Sequence, residues 1–249
     1  MLVPDESPVR VVLLDVEGTT TPIDFVYKTL FPYAGRKLES FLGEHSRDPE
    51  IRASIQDLHG QQQLDERQGL DPPVWVNEPE DARIRSAVGY GRWLMAKDSK
   101  CTALKSLQGK IWQEGFGNGE LRGEVYADVP RALQRWRRQK RDICIYSSGS
   151  VLAQQLLFRT VVSGDLTVHI GGFFDTRMGI KTDRESYRKI AASLGRPPRE
   201  FLFLSDAAQE IEAAQAAEMH GMLCVRDSRA SSPPAAGTII RSFDEIFLD

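Results

Sequence analysis

Apolar residues fall in two rhythms along this chain. Val11-Val12-Leu13-Leu14 is a short uninterrupted apolar run, the pattern of a strand buried on both faces in a parallel sheet. Similar runs recur within Asp142 to Tyr146 (Ile143, Cys144, Ile145), at Phe173-Phe174, at Phe201 to Leu204 and at Met222 to Val225. Between and before them lie stretches with helical spacing: Pro130 to Gln139, Ser150 to Phe158, Asp183 to Leu194 and Ala207 to Glu218. This alternation predicts an α/β fold, a parallel sheet with helices on both faces.

After Thr21-Pro22 the alternation stops for about a hundred residues. Ile23 to Leu42 is the first expected helix, with Phe25, Leu30, Leu38 and Leu42 on its apolar face, and Pro32 is expected to end or kink it. Pro49 to Leu64, Glu80 to Ala96 and Thr102 to Glu114 follow as helices; Gly69 to Pro73 reads as loop and Gly115 to Gly119 as a flexible turn. An all-helical insert therefore separates the first strand from the rest of the sheet. The expected division is a core of residues 1–20 and 125–249 and a helical cap of residues 21–124. Ligands of open α/β sheets bind at the carboxyl ends of strands. An insert beginning there is expected to hang over that edge as a lid. Ser228 to Thr238, rich in Ser, Pro and Ala, reads as surface loop.

Composition narrows the function classes. The chain has 249 residues, 41% hydrophobic and 27% charged, ordinary for a globular protein. A net charge of -3 and a pI near 5.9 carry no footprint for nucleic acid. The basic cluster Arg131 to Arg141 is broken by Leu133 and Trp136 at helical spacing, so it reads as the solvated face of an amphipathic helix. Cys101, Cys144 and Cys224 form no CxxC, and Cys144 and Cys224 lie in strand-like runs, which predicts buried thiols. His45, His59, His169 and His220 show no ligand spacing and read as structural or exposed. Met1 to Glu6 lacks the pattern of a signal peptide, and no apolar stretch would span a bilayer. The expectation is a cytoplasmic protein without membrane or nucleic-acid partners.

Four polar signals fall at strand ends: Asp15 with Glu17 after the first, Ser147 after Tyr146, Lys181 after Phe174, and Ser205-Asp206 after Leu204. Each alone is compatible with a turn, a helix cap or a surface lysine. Together, and in this order, they point to phosphoryl transfer. A carboxylate attacking a phosphate meets like-charge repulsion of roughly 4 kcal/mol per charge pair at about 4 Å and an effective dielectric of 20. Mg²⁺ held by Asp15 and Asp206 would offset that repulsion, Lys181 would add a positive charge, and Ser147 would donate to a phosphoryl oxygen. Asp15 would form an aspartyl-phosphate. Glu17 would protonate the leaving oxygen and then activate water.

These residues resemble the four motifs of the haloacid dehalogenase superfamily of phosphatases: Asp15-x-Glu17-Gly18-Thr19, Ser147, Lys181 and Ser205-Asp206. The first motif usually carries a second Asp, where this chain has Glu17. With that departure the chain resembles the enolase-phosphatase E1 (acireductone synthase) branch. The resemblance runs through Phe25-Val26, Leu30 to Ala34, Thr102 to Trp112, Gly119 to Leu121, Tyr146 to Ser150 and Gly179 to Lys181, so it includes the insert. It implies a Rossmann-like three-layer core with a helical cap, and a monomer with one Mg²⁺. It also implies a two-step reaction in methionine salvage: enolisation of 2,3-diketo-5-methylthiopentyl 1-phosphate, then dephosphorylation to the acireductone. Asp15, Glu17 and Asp206 match the metal positions, Glu17 through either its side chain or its main-chain carbonyl. Ser147, Ser148 and Lys181 match substrate-binding positions.

Three questions stay open at this point. Glu17, Lys97 and Lys100 are all candidates for the base of the enolisation step. Phe25, Phe31, Tyr33 and Trp112 are candidates for an apolar contact to the methylthio tail, although aromatics at helical spacing are more often core. The rival enzymatic reading is a phosphatase of the same superfamily acting on a sugar or glycolate phosphate. A phosphoryl-accepting receiver module is disfavoured by chain order, because Ser147 stands where a receiver carries its acceptor Asp.

Overall fold

The computed structural model describes residues 9–97, 99, 101–226 and 238–248. The stretch Met1 to Glu6, Lys100 and nearly all of the Ser228 to Thr238 loop lie outside the described residues. The chain forms two compact units, Met1–Phe25 with Arg122–Asp249, and Val26–Leu121.

The first unit is built on six parallel strands: β1 (Val11–Leu14), β2 (Asp142–Tyr146), β3 (Gly172–Phe174), β4 (Phe201–Ser205), β5 (His220–Cys224) and β6 (Thr238–Ile240). Their order is β3-β2-β1-β4-β5-β6. The chain steps outward from β1 through β2 to β3, then crosses back to put β4 on the other side of β1. β1 therefore lies at the reversal of strand order, where open α/β sheets bind ligands. Its four residues are wholly buried, which is why they read as an unbroken apolar run. Leu14 is level with Ile145 of β2 and Leu204 of β4, so the three strands end side by side. One face of the sheet packs Val11, Leu13, Tyr146, Phe201 and Phe203 against Tyr187 and Ile190 of α8 (Arg184–Ser193) and Ile211 of α9 (Ala208–Ala216). Toward the other face, α6 (Val129–Arg138) packs on β2 and α7 (Val151–Arg159) on β3. Ser150 and Asp183 cap α7 and α8 by accepting from Ala153 and Glu185 N–H groups.

The second unit is helical: α2 (Phe31–Glu44), α3 (Pro49–Arg67), α4 (Glu80–Ala96) and α5 (Thr102–Gly117). α2 packs on α4 and α5, and so does α3. Leu38, Leu42, Leu58, Tyr90, Leu94 and Leu107 fill the space between them.

Several boundaries differ from the sequence reading. The stretch expected as one helix from Ile23 is a short α1 (Ile23–Phe25), a π turn (Val26–Leu30) and α2. Pro32 lacks the N–H that would continue the helical pattern, and the turn before it widens. The Leu30 carbonyl accepts from the Trp112 indole at 2.9 Å. The expected flexible turn at Gly115 to Gly119 is instead helix as far as Gly117. Gly115 serves packing there: a Cβ on it would lie 2.6 Å from the Tyr33 hydroxyl. Arg135 departs from the solvated face expected of its helix. It is buried and donates to the carbonyls of Phe243, Ile246 and Phe247, tying α6 to the C-terminal segment. β6 begins at Thr238, the end of the stretch read as loop.

Cys144 and Cys224 are buried and unbridged, and burial pushes both thiols up to about 12. No helix among the described residues is long and apolar enough to cross a membrane.

Gly115→Ala should destabilise the helical unit by about 1–3 kcal/mol, the usual cost of overpacking, because Tyr33 is held in place by its 2.7 Å hydrogen bond to Glu120. A lowered unfolding midpoint in thermal or denaturant melts checks this.

Candidate active site

Asp15 is the first residue beyond β1, and its N–H donates to the Leu204 carbonyl at 3.0 Å. That bond keeps the backbone in the sheet while the carboxylate emerges at the strand end, still only 5% exposed. The next residues fold into a tight turn in which the N–H groups of Thr19, Thr20 and Thr21 all converge on the Val16 carbonyl. Gly18 makes this turn possible at φ +72°. Its missing side chain matters as well, since a Cβ there would lie 2.1 Å from Asp206 Oδ2.

The Thr19 hydroxyl joins two strand ends. It donates to Asp15 Oδ2 at 3.1 Å and accepts from the Asp206 N–H at 2.9 Å. Lys181 approaches from the loop after β3. Its Nζ is 2.5 Å from Asp15 Oδ1 and 2.6 Å from Glu210 Oε2, with the lysine side chain 10% exposed. The loop that carries it is pinned by three side chains from the core. Tyr146 donates to the Gly179 carbonyl at 2.9 Å, Ser186 to that of Ile180 at 2.8 Å and Tyr187 to that of Lys181 at 2.7 Å. Burial pulls the Lys181 ammonium down, but Asp15 and Glu210 outweigh it and hold the pKa above its ordinary value. The lysine is therefore a permanent cation here.

Asp206 is in the opposite condition. Burial, then the charges of Asp15 and Glu210, push its carboxyl up to about 7, against the lowering effect of Lys181. Asp15, Asp206 and Glu210 together exceed the charge of one ammonium. An all-oxygen set with surplus negative charge, cradled by a glycine, fits a hard divalent cation. The carboxylates of Asp15, Glu17 and Asp206 do not on their own form a tight cluster. Among the described residues, the set of three ligand-type side chains with donor atoms within 4.8 Å of one another is Glu44, His45 and Glu114, at exposed helix ends of the second unit. His45, read as without ligand partners along the chain, meets Glu114 from a different helix there.

Ser147 is the first residue after β2, the strand that pairs with β1. It is buried, its N–H donates to the Phe174 carbonyl at 3.2 Å, and its Oγ accepts from the Gly149 N–H at 3.1 Å. Gln154 fixes the same turn through the carbonyls of Gly149 and Phe174. Ser148 is exposed on that turn, and Glu17 is half-buried and paired to Thr21 through a backbone bridge.

The structure thus brings Asp15, Lys181 and Asp206 together and puts Ser147 on the neighbouring strand end. Lys97 belongs to the second unit, with its Nζ 4.2 Å over the Trp93 ring. Among the aromatics, Phe25 and Tyr33 are buried, while Phe31 and Trp112 are half-buried with ring centroids 6.0 Å apart. Sequence reasoning missed Glu210, the second partner of Lys181. Its signal was an acid one helical turn beyond Asp206 on a helix starting at the strand end. It also missed the bridging role of the Thr19 hydroxyl.

Residues 9–218 match the family model of the haloacid dehalogenase-like hydrolases. The chain is 45% identical over 238 residues to enolase-phosphatase E1 of Synechococcus elongatus, covering 96% of this chain and 98% of that one. It is 40% identical to enolase-phosphatase E1 of Drosophila melanogaster, covering 91% and 87%. Among solved structures it is similar to the UTR4 protein of Saccharomyces cerevisiae, with a TM-score of 0.77, 31% identity and coverage of 96% and 100%.

A raised carboxyl pKa makes metal-free stability fall as pH rises between the unfolded and folded pKa values, because the folded state holds the proton longer. For Asp206 that window runs from 3.8 to about 7. Between pH 5 and 7 the metal-free parent should lose on the order of 2 kcal/mol relative to Asp206→Asn. Denaturant melts of the two proteins in chelator across that range check the sign.

Proposed function

This chain belongs to the haloacid dehalogenase-like hydrolases, in the enolase-phosphatase E1 family, and on that premise we propose how its residues divide the reaction. The substrate is 2,3-diketo-5-methylthiopentyl 1-phosphate, which is enolised and dephosphorylated to the acireductone of methionine salvage. Support for this substrate comes from identity that extends through the helical insert. The observation that carries the phosphoryl chemistry is the buried Asp15 carboxylate held between Lys181 Nζ at 2.5 Å and the Thr19 hydroxyl at 3.1 Å.

Asp15 is the nucleophile. An oxygen of its carboxylate attacks phosphorus, the bond to the enol oxygen breaks, and water then cleaves the aspartyl-phosphate. Lys181 stays charged throughout and faces the phosphoryl oxygens from the side of Asp15. Glu210 holds the lysine from its other side. Ser147 and Ser148 donate to the phosphoryl group from the turn after β2. Glu17 is the general acid for the leaving oxygen and the base for water. A divalent cation, Mg²⁺ in this family and one per monomer in this reading, would be held by Asp15, Asp206 and Glu17 and would supply charge neutralisation at the phosphoryl oxygens. The loose spacing of the three side chains supports the main-chain carbonyl as the Glu17 ligand. The division into a core of residues 1–20 and 125–249 and a cap of residues 21–124 belongs to the same reading, as does a monomer in the cytoplasm.

Asp15→Asn should lower phosphate release by on the order of a thousandfold or more with the fold intact by circular dichroism. Turnover near the parental rate would remove Asp15 as nucleophile. Exhaustive chelation should silence both phosphate release and the acireductone absorbance, and added Mg²⁺ should restore them; activity that survives chelation sinks the metal assignment.

A further inference from the structure

Arg226 stands just beyond β5 and belongs to none of the motifs above. Its guanidinium makes three hydrogen bonds, the longest from Nη1 to the Arg241 carbonyl at 3.4 Å. Nε donates to the Thr19 carbonyl at 2.9 Å, and Nη1 meets Asp128 Oδ2 at 2.6 Å, with both charged side chains 7% exposed. Asp128 is fixed in turn by the Ser242 hydroxyl at 2.9 Å and the Phe243 N–H at 2.6 Å. The rings of Tyr126 and Phe243 lie 4.5 Å and 4.3 Å from the guanidinium carbon. The Tyr126 N–H donates to the Thr20 carbonyl at 3.0 Å. Two consecutive carbonyls of the turn that follows Asp15 are therefore gripped by residues outside it.

Stability alone does not account for this choice of residues. A buried ion pair is often no more stabilising than a well-packed apolar pair of the same volume. What an arginine offers is a planar fork whose donors point in fixed directions. Here one donor is anchored on Asp128 and another reaches the backbone of Thr19. That threonine's hydroxyl, on the same residue, bridges the Asp15 carboxylate and the Asp206 N–H.

We infer that Arg226, anchored by Asp128, is a positioning residue for the reaction: it fixes the Thr19 backbone so that the Thr19 hydroxyl aims the Asp15 carboxylate at phosphorus. The inference rests on the reading of Asp15 as nucleophile. Attack on phosphorus needs the carboxylate oxygen in line with the leaving oxygen, and a misplacement of about 1 Å costs roughly a hundredfold in rate. Arg226 contacts none of the groups proposed to hold the phosphoryl oxygens, so its loss should lower kcat and leave KM in place.

The test uses steady-state kinetics on the full chain with Mg²⁺, together with thermal melts. Arg226→Met alone strands a buried carboxylate. The pair Arg226→Met with Asp128→Asn removes that charge, while the Asn oxygen can still accept from Ser242 and Phe243. This double variant should melt cooperatively, lose roughly 10- to 100-fold in kcat and keep KM within about threefold. Thr19→Val should lose a similar factor, and adding it to the double variant should cost nothing further, because residues acting through one contact are not additive. Arg226→Lys keeps a cation for Asp128, so it folds, but lacks the fork and should still lose roughly tenfold in kcat. Parental kcat in Arg226→Lys or in the double variant overturns the inference. So does a loss carried by KM, or multiplication of the Arg226 and Thr19 losses. Asp15→Asn, run beside these, separates the two readings. If it is inactive while the Arg226 variants match the parent, the positioning role alone fails; if it turns over like the parent, the nucleophile reading fails and the inference falls with it.

Discussion

A carboxylate at the end of a strand whose own residues are wholly buried is the constraint on which the site depends. A carboxylate at 5% exposure has lost most of its hydration and needs partners in its place. The compensation comes from near and far in the chain: a threonine hydroxyl from the turn after β1, a lysine from the loop after β3, and a backbone tied into β4. The lysine needs its own support, because burial alone would strip its proton. Two carboxylates keep it charged. A second acid, Asp206, is left over and becomes a reluctant anion. This surplus of negative charge at the strand ends suits a divalent cation.

The same balance explains why Lys181 is shared. Bound to Asp15 alone, an ammonium at hydrogen-bonding distance would spend its whole field on that one carboxylate. Glu210 takes part of its field, and Ser205 donates to that glutamate at 2.8 Å. The hydroxyl of Ser205 in turn accepts from the Ala207 N–H, so the turn after β4 and the helix that follows it belong to one network with the lysine.

The central strands β1, β2 and β4 were legible because they are buried on both faces and therefore read as unbroken apolar runs. The insert was legible because the alternation stops. The acids, serine and lysine were legible as a set because each follows a strand. Glu210 was not, since an acid in the first turn of a helix has an ordinary explanation as a partner of the helix dipole. Arg135 was lost among neighbouring arginines whose pattern spoke for solvent. Gly115 was misread because a run of glycines signals a turn, whereas here the missing Cβ admits the Tyr33 ring. In each case the deciding partner comes from another element, and local pattern carries no information about it.

Parallel pairing has a temporal side. β1 is flanked by β2 and β4, and Lys181 lies 166 residues beyond Asp15. Residues 26–121 form a compact unit of their own, so it can assemble while the rest of the chain is still being made. β1, which precedes the helical unit in the chain, has no paired neighbour until β2 has been made. Contacts of such long separation delay folding. Through that interval β1 is an apolar segment with both edges bare, the kind of stretch that recruits other chains. The central strand is both what organises the finished site and the part of the nascent chain most in need of protection.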